Sequence, residues 1–289
     1  MTSVKRVFRG SYLSFDALGT LFDFKEPIAT QYLKVARRCG VTAPIAESDL
    51  QQAFKTAYKQ ISLSWPNYGK GSKIVDSPET WWQILVHSTF RRLLPVESIP
   101  TELGSETYQH FASGAAYQLR PGVLSMFEKL RGSRGELANS SWMTCVISNS
   151  DPRVSAILRD LGLKVGEGPP GPPAMYDPEN DIDFVCTSYE ASSEKPDAAI
   201  FWNAKESMAA LVGVPLDELV ADRTSTEGVR WIHVGDDFKK DCVGASEAGL
   251  IPVYLCPGGV MPGSQSEVAA LGGLAVQIFE EVADYLRLK

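Results

Sequence analysis

The stretch SYLSFDALGTLFD, residues 11–23, decides the fold. It opens with an apolar run typical of a buried strand, closes that run at Asp16, and turns through Gly19 and Thr20. Four later apolar runs also end in small or acidic residues, and they are MTCVIS (143–148), DFVCTS (183–188), WIHVGD (231–236) and IPVYLC (251–256). Because helical or loop segments follow these runs, the sequence predicts an α/β fold built on a parallel sheet with crossover helices.

The residues that close these runs are the first candidates for chemistry. In open α/β sheets, ligands bind beyond the carboxyl ends of the strands. Asp16 closes the first run, Ser148 the second, Thr187 or Ser188 the third, and Asp236 the fourth. We therefore expect a functional site at this edge of the sheet.

A long segment with helical periodicity separates the first run from the second. Its candidate helices are PIATQYLKVARRCG (27–40), AESDLQQAFKTAYKQIS (46–62), SPETWWQILVHSTFRRLL (77–94) and SETYQHFASGAAYQL (105–119). The third has the clearest start, with Ser77 as N-cap and Pro78 in the first helical position. The sequence thus predicts a helical cap domain over residues 24–119, inserted into a core domain formed by residues 1–23 and 120–289.

Composition restricts the partners of the chain. With 289 residues, of which 44% are hydrophobic, the chain is long enough for a core domain with a large insertion. Its formal net charge of −7 disfavours binding to nucleic acid or to anionic lipid, because charges of that sign repel both. No apolar run approaches the ~20 residues that span a bilayer. A small anionic metabolite held by a local positive site is the expected partner, and the sequence indicates no oligomeric state.

The cysteines and the N-terminus bear on the compartment. The five cysteines are scattered and form no C-x-x-C pair, which favours a reducing environment over a disulfide framework or a zinc site. No secretory signal is recognisable, so we expect a cytoplasmic address, with a nuclear one also open. The basic, hydroxylated start MTSVKRVFRGS leaves a mitochondrial address open as well.

Four segments at the ends of the predicted strands carry a resemblance. They are FDALGTLFD (15–23), VISNSD (146–151), SSEKPD (192–197) and HVGDDFKKDCVGASEAG (233–249). In order and spacing they resemble the motifs of the haloacid dehalogenase-like hydrolase superfamily, in the branch with a helical lid after the first motif, and in particular its eukaryotic members of unassigned substrate. The resemblance implies a Rossmann-like parallel sheet core with an inserted helical cap.

The chemistry of the first two segments suits an anionic substrate. Asp16 is the candidate nucleophile, because a carboxylate can split a displacement into formation and hydrolysis of a covalent intermediate. Gly19 and Thr20 form a turn that can bring backbone N–H groups to an anion. Ser148 precedes a helix start, where a hydroxyl and a helix N-terminus can bind a phosphoryl or carboxylate group. We assign Gly19, Thr20 and the neighbouring Asn149 to substrate binding.

The last two segments supply the remaining charges. By resemblance, Lys195 neutralises Asp16 and the bound anion. By resemblance also, Asp16, Asp236, Asp241 and the backbone carbonyl of Leu18 hold Mg²⁺. Independently, two unit charges ~4 Å apart repel by about 4 kcal/mol at an effective dielectric constant of ~20, so clustered carboxylates favour a bound cation.

One position departs from the family pattern. Phosphatases of the superfamily usually carry a second Asp two residues after the nucleophile, where this chain has Leu18. Leucine cannot transfer protons, and loss of general acid–base help costs about 10²–10⁴-fold in rate. The backbone carbonyl of residue 18 remains available to a metal, so binding can outlive catalysis.

Three functions therefore stay open. The first is a Mg²⁺-dependent phosphohydrolase, slow for want of the second Asp, that acts on a small phosphorylated metabolite through an aspartyl intermediate. The second is a non-catalytic descendant that binds a phosphorylated metabolite or a protein. The third is a metal-free 2-haloacid dehalogenase, whose family members share the D-A-x-G-T-L turn. The acid-rich fourth segment opposes the third function, and no pattern singles out one arginine among the candidates Arg37, Arg38, Arg91 and Arg92.

The histidines are interpreted as structural. His87 and His110 have no partner at the spacing of metal ligands, and His233 lies within the fourth apolar run, where packing is the expected role. We assign none of the three to catalysis.

Overall fold

The structure is a computed structural model that describes residues 11–133, 142–167, 177–219, 230–259 and 264–288. Residues 1–10, which bear on the mitochondrial address and belong to the predicted core domain, lie outside this described part.

Strands and helices alternate along most of the described chain. The strands are β1 (Ser11–Phe15), β2 (Phe22–Phe24), β3 (Tyr117–Leu119), β4 (Trp142–Ser148), β5 (Phe184–Thr187), β6 (Arg230–Gly235), β7 (Ile251–Leu255) and β8 (Leu274–Val276). The longer helices are α1 (Ile28–Arg38), α2 (Glu47–Ser64), α3 (Pro78–Phe90), α4 (Leu103–His110), α5 (Val123–Ser133), α6 (Arg153–Asp160), α7 (Ala198–Val212), α8 (Ser264–Ala270) and α9 (Phe279–Leu286). Short helical turns span Pro66–Gly69, Val96–Ser98, Gly114–Ala116, Ser188–Ala191, Leu216–Leu219 and Gly244–Glu247, and a π-helical turn spans Phe238–Val243.

The main sheet confirms the predicted α/β fold. It has six strands in the order β5-β4-β1-β6-β7-β8. All of its neighbouring strands are parallel. Strand β1 lies at the centre between β4 and β6, so the segment that decides the fold is also the middle of the sheet. Strands β2 and β3 form a separate two-stranded sheet.

Strand β4 shows why the apolar runs become central strands. All seven of its residues are buried. A run that is mostly apolar and does not alternate between apolar and polar residues suits a parallel strand covered on both faces. On one face, Met143, Cys145 and Ile147 pack in a cluster with Ile200 and Phe201 of α7.

Residue contacts divide the chain into two units. The sheet unit comprises Met1–Phe22, Leu119–Asn149 and Gly162–Lys289, and the helical unit comprises Asp23–Gln118 and Ser150–Leu161. The helical unit therefore includes residues 150–161, which the sequence had assigned to the core domain. These residues contact the rest of that unit through Asp151, whose carboxylate accepts from the Trp82 indole at 2.7 Å, and through Asp160, whose carboxylate accepts from the Gly114 N–H at 3.0 Å.

The helical unit contains the predicted helices with one change. Helix α3 begins as expected, with the Ser77 hydroxyl accepting from the Thr80 N–H at 3.1 Å and Pro78 in the first turn. The last candidate helix was predicted too long, because α4 ends at His110 and Tyr117–Leu119 forms β3 instead. Backbone pairing near β3, such as Lys25 N–H to Ala116 O at 3.0 Å, replaces the helical hydrogen bonds there.

The sheet has a sixth strand, β8, which the sequence did not indicate because a three-residue run carries too little pattern.

None of the helices in the described part of the chain combines the length and the apolar character that crossing a bilayer requires.

Candidate active site

Asp16 and Asp236 lie at the carboxyl edge of the sheet because β1 and β6 are parallel neighbours in register. Phe15 pairs with Val234, and the Asp16 N–H donates to the Val234 carbonyl at 2.8 Å. Each aspartate then follows the end of its strand. The local sequence thus brings two carboxylates together that are more than two hundred positions apart in the chain.

A third carboxylate joins them from the π-helical turn that follows β6. Ligand oxygens of Asp16, Asp236 and Asp241 all lie within 4.8 Å of one another. Asp241 is buried, and its Oδ2 accepts from the Asp237 N–H at 3.0 Å. Gly235 allows this approach, since a side chain there would overlap the Asp241 carboxylate.

Lys195 lies among the carboxylates. Its side chain is 1% exposed, and its Nζ donates to Asp16 Oδ1 at 2.7 Å and to Asp241 Oδ1 at 2.6 Å. A third bond, to the Ile147 carbonyl at 2.9 Å, completes the three donors of the ammonium. Lys195 therefore fixes two of the three carboxylates in place.

Asn149 holds the backbone of Lys195. Its Oδ1 accepts from the Lys195 N–H at 2.6 Å, and its Nδ2 donates to the Lys195 carbonyl at 2.9 Å. Both polar atoms of the Asn149 side chain thus position the lysine, and the predicted role of Asn149 in substrate binding remains a prediction. Ser148, the residue before it, is buried at the end of β4.

The turn after β1 contacts the side chain of Asp236. The hydroxyl of Thr20 donates to Asp236 Oδ1 at 2.9 Å. Gly19 has a φ of 92°, and a Cβ there would lie 2.7 Å from the same oxygen, so only glycine fits this close approach. The predicted substrate-binding residues Gly19 and Thr20 thus both contact a carboxylate of the cluster.

Leu18 is unusual among the large apolar side chains near the site because it is 44% exposed. Its neighbours Ala17 and Leu21 are fully buried. Position 18, where the resemblance leads us to expect a catalytic carboxylate, is therefore accessible to solvent and is occupied by an apolar side chain.

The charges at the site do not balance. Three carboxylates face the one ammonium that hydrogen-bonds to them within the described residues, which leaves two negative charges uncompensated. Burial raises the pKa of Asp16 above its usual range, against the attraction of Lys195. Burial and the charge of Asp16 raise the pKa of Asp236 to about 6. Burial acts to raise the pKa of Asp241 as well, but Lys195 and His233 hold it below its usual range.

These residues fit a divalent cation. The donors are carboxylate oxygens, which are the ligands that Mg²⁺ prefers, and the uncompensated charge equals that of the ion. The raised pKa of Asp236 agrees with this, because burial, and after it the negative charge of Asp16, disfavour its ionised form.

The raised pKa of Asp236 predicts how the stability of the metal-free protein changes with pH. The folded-state value of about 6 lies above the ordinary value near 3.9, so between these values the folded state binds more protons than the unfolded state. This group therefore lowers the free energy of unfolding as the pH rises from about 4 to about 6. Urea denaturation of the wild type and of Asp236→Asn in chelator should show the variant gaining stability over the wild type across that interval, with no further gain above it. A difference that does not depend on pH would contradict the prediction.

His233, for which the sequence predicts only a packing role, also contacts this site. It lies in β6, is fully buried, and places its Nε2 at 3.2 Å from Asp241 Oδ1. A signal was available: Ser14 and His233 are polar residues at paired positions of two adjacent buried strands. Packing alone gives no reason for such a pair.

Comparisons with known proteins show the family and the fold of the chain. A family model described as haloacid dehalogenase-like hydrolase matches residues 12–249. The haloacid dehalogenase-like hydrolase domain-containing protein 3 of Bos taurus is 28% identical over 240 residues, which cover 82% of this chain and 78% of that protein. YfnB from Bacillus subtilis, solved with bound magnesium, has a similar fold, with a TM-score of 0.57 at 16% identity over 96% of this chain and 99% of that one. A 2-haloacid dehalogenase from Pseudomonas syringae pv. Tomato has a TM-score of 0.59 at 18% identity over 96% of this chain and 98% of that one.

Proposed function

Because the chain belongs to the haloacid dehalogenase-like hydrolase family, we propose that it is a Mg²⁺-dependent phosphohydrolase that acts on a small phosphorylated metabolite. The observation that carries the proposal is the cluster of Asp16, Asp236 and Asp241 around Lys195, with two negative charges left for a cation. A phosphoryl group is the substrate that uses both the nucleophile and the cation.

Asp16 is the nucleophile of the proposed reaction. One of its carboxylate oxygens attacks the phosphorus of a phosphomonoester, the bond from phosphorus to the leaving oxygen breaks, and an aspartyl phosphate forms. Water then attacks the same phosphorus, the bond to Asp16 breaks, and inorganic phosphate leaves. With leucine at position 18, the leaving oxygen takes its proton from solvent, so the reaction is slow for poor leaving groups.

The surrounding residues hold the reacting groups. Lys195 orients Asp16 and stabilises negative charge on the phosphoryl oxygens. Thr20 and Gly19 fix Asp236, and Asn149 fixes the Lys195 backbone. Mg²⁺, bound by Asp16, Asp236, Asp241 and the carbonyl of Leu18, would supply charge stabilisation and in-line alignment of the phosphoryl group.

One observation favours a second candidate, a non-catalytic protein that binds a phosphorylated metabolite or a protein partner. Leu18 offers no proton, yet the cation and anion sites do not depend on its side chain. Such a protein would keep the affinity for Mg²⁺ and phosphate and lack turnover.

A metal-free dehalogenase fits the site less well. It would leave the three carboxylates with two negative charges in excess of the one ammonium of Lys195, which is unfavourable among partly buried groups. It would also need an arginine for the substrate carboxylate. Of the four arginines considered, Arg37 donates to the backbone carbonyls of Val41 and Ala43, and Arg92 donates to Gln60.

A cytoplasmic address is part of the proposal. The five cysteines are all free, and four of them are buried, which suits a reducing compartment. Imaging of the full chain carrying a C-terminal tag tests this assignment. Accumulation in mitochondria or in the nucleus would contradict it and would favour one of the two other addresses left open.

The test of the function is release of inorganic phosphate from a panel of phosphomonoesters, with and without Mg²⁺, beside chloride release from 2-chloropropionate. We expect phosphate release that requires Mg²⁺ and is faster for aryl than for alkyl phosphates. Asp236→Asn, which keeps the shape of the side chain, should abolish the phosphate release that requires Mg²⁺. Chloride release without Mg²⁺ would overturn the proposal, and stabilisation by Mg²⁺ without turnover on any substrate would favour the binding protein.

A further inference from the structure

A chain of hydrogen bonds leads from the interior of the sheet to the nucleophile. The indole N–H of Trp231 donates to Ser14 Oγ at 3.0 Å, and Ser14 Oγ lies 2.9 Å from His233 Nδ1. On the other side of the ring, His233 Nε2 lies 3.2 Å from Asp241 Oδ1. Lys195 then bridges the same Asp241 oxygen to Asp16.

The groups at the two ends, an acceptor at Asp241 and a donor at Trp231, decide the tautomer of His233. An ionised carboxylate only accepts hydrogen bonds, so Nε2 must carry a proton to face Asp241 Oδ1. An indole N–H only donates, so Ser14 Oγ accepts from Trp231 and its own proton is free to point at Nδ1. The other contact open to that proton, the Ile232 carbonyl, is longer, at 3.3 Å.

We propose that His233 is a positioning residue: its Nε2–H donates to Asp241 Oδ1, while Ser14 and Trp231 hold the ring in that tautomer. The part of this inference that concerns catalysis rests on the proposed function, and the part that concerns the proton does not. His233 does not touch Asp16. It acts through Asp241, which shares Lys195 with the nucleophile.

The bonds to Asp241 explain why this donor matters. Oδ1 accepts from Lys195 and His233, and Oδ2 accepts from the Asp237 N–H. Without His233, a buried acceptor loses a partner and the carboxylate can rotate about its bond to Cβ. If the Asp241 carboxylate rotates, Lys195 Nζ cannot keep its hydrogen bonds to both Asp241 and Asp16 at their present lengths. Groups that orient ligands and catalytic side chains in this way typically contribute about 10- to 100-fold to metal affinity or activity.

The proton can be located without any enzymatic assay. The chain has three histidines, so the full-length protein labelled with ¹⁵N-histidine gives three sets of ring signals. His233→Gln identifies the set that belongs to His233, and His87 and His110 serve as internal references. We expect a protonated Nε2 and an unprotonated Nδ1 at neutral pH. A proton on Nδ1 with none on Nε2 would overturn the inference.

Variants test the consequence for the site. His233→Leu removes the donor at similar volume, whereas the amide of His233→Gln can still donate to Asp241. We expect His233→Leu to lower Mg²⁺ affinity and kcat by about 10- to 100-fold with little change in KM, and His233→Gln to restore most of both. His87→Leu, in the helical unit, is the matched control and should change neither. Equal losses in the Leu and Gln variants would contradict a positioning role.

The two hypotheses fail in different ways. If the wild type releases no phosphate from any substrate, the proposed function fails, while the ring nitrogens and the Mg²⁺ titrations still decide the inference. If the wild type is active and the proton lies on Nδ1, the inference fails and the proposed function stands.

Discussion

Replacing Asp16 with Asn is expected to abolish phosphate release, with a loss in kcat on the order of 10⁴- to 10⁶-fold, as for other removed nucleophiles. An amide oxygen is far less nucleophilic than a carboxylate, so no aspartyl phosphate can form. The substitution keeps the shape of the side chain and an acceptor for Lys195 Nζ, which donates to Asp16 Oδ1 at 2.7 Å. The loss should therefore be chemical rather than structural. Rapid-quench trapping of the phosphorylated chain, followed by peptide mass analysis, shows directly whether the aspartyl phosphate forms in the wild type and not in the variant.

A matched control lies in the same site. Asp237→Asn changes a neighbouring carboxylate that pairs with Lys240 at 2.7 Å in the half-exposed region beside the cluster, and asparagine preserves its N-cap. This variant should retain the wild-type rate. Denaturation of Asp16→Asn should show a metal-free protein at least as stable as the wild type, because one of three mutually repelling carboxylates is gone. An Asp16→Asn variant that keeps a tenth of the activity would exclude Asp16 as the nucleophile.

The convergence of the charged residues could be predicted because it follows from the sheet alone. Asp16 and Asp236 each follow a buried apolar run, and the carboxyl ends of parallel neighbours share an edge. Lys195 and Asp241 needed more than the sheet, since their motifs indicate the site only by resemblance. The structure brings all four side chains together. Their roles in binding and catalysis remain predictions.

The partners of the smaller polar side chains could not be predicted. The predicted substrate-binding roles of Thr20 and Asn149 remain predictions, but nothing in the sequence indicated that their side chains also bond to Asp236 and to the Lys195 backbone. Which acceptor a hydroxyl or an amide reaches depends on distances of a few tenths of an ångström, and spacing in a sequence does not carry that information. The pairing of His233 with Ser14 offered a signal, but the contact of His233 with Asp241 could not be predicted. Its partner Asp241 is eight positions away, on a π-helical turn that the pattern did not indicate.

The grouping of residues 150–161 with the helical unit also depends on long-range contacts. The segment follows a core strand, so its place in the sequence favours the core. Arg153 instead pairs with Asp151 at 2.7 Å and stacks on Trp82 and Tyr108, at 4.7 and 4.5 Å from the ring centres. Such cation–π contacts join residues that no local pattern connects.

Leu18→Asp is expected to raise the rate of phosphate release from alkyl phosphates by about 10²–10⁴-fold, the usual contribution of a general acid–base group. The substitution should fold, because Leu18 is 44% exposed and contributes little to the core. An aspartic acid there could protonate the leaving oxygen and then, as the carboxylate, accept a proton from the attacking water. Aryl phosphates, whose leaving groups need no proton, should gain much less. The ratio of kcat/KM for alkyl and aryl substrates in the two proteins therefore isolates proton transfer from any change in binding, and Leu18→Asn, with the same shape and no proton to transfer, should behave like the wild type. If Leu18→Asp leaves both substrate classes unchanged while Mg²⁺ still stabilises the protein, proton transfer is not what limits the wild type, and a binding role becomes the better explanation of the site.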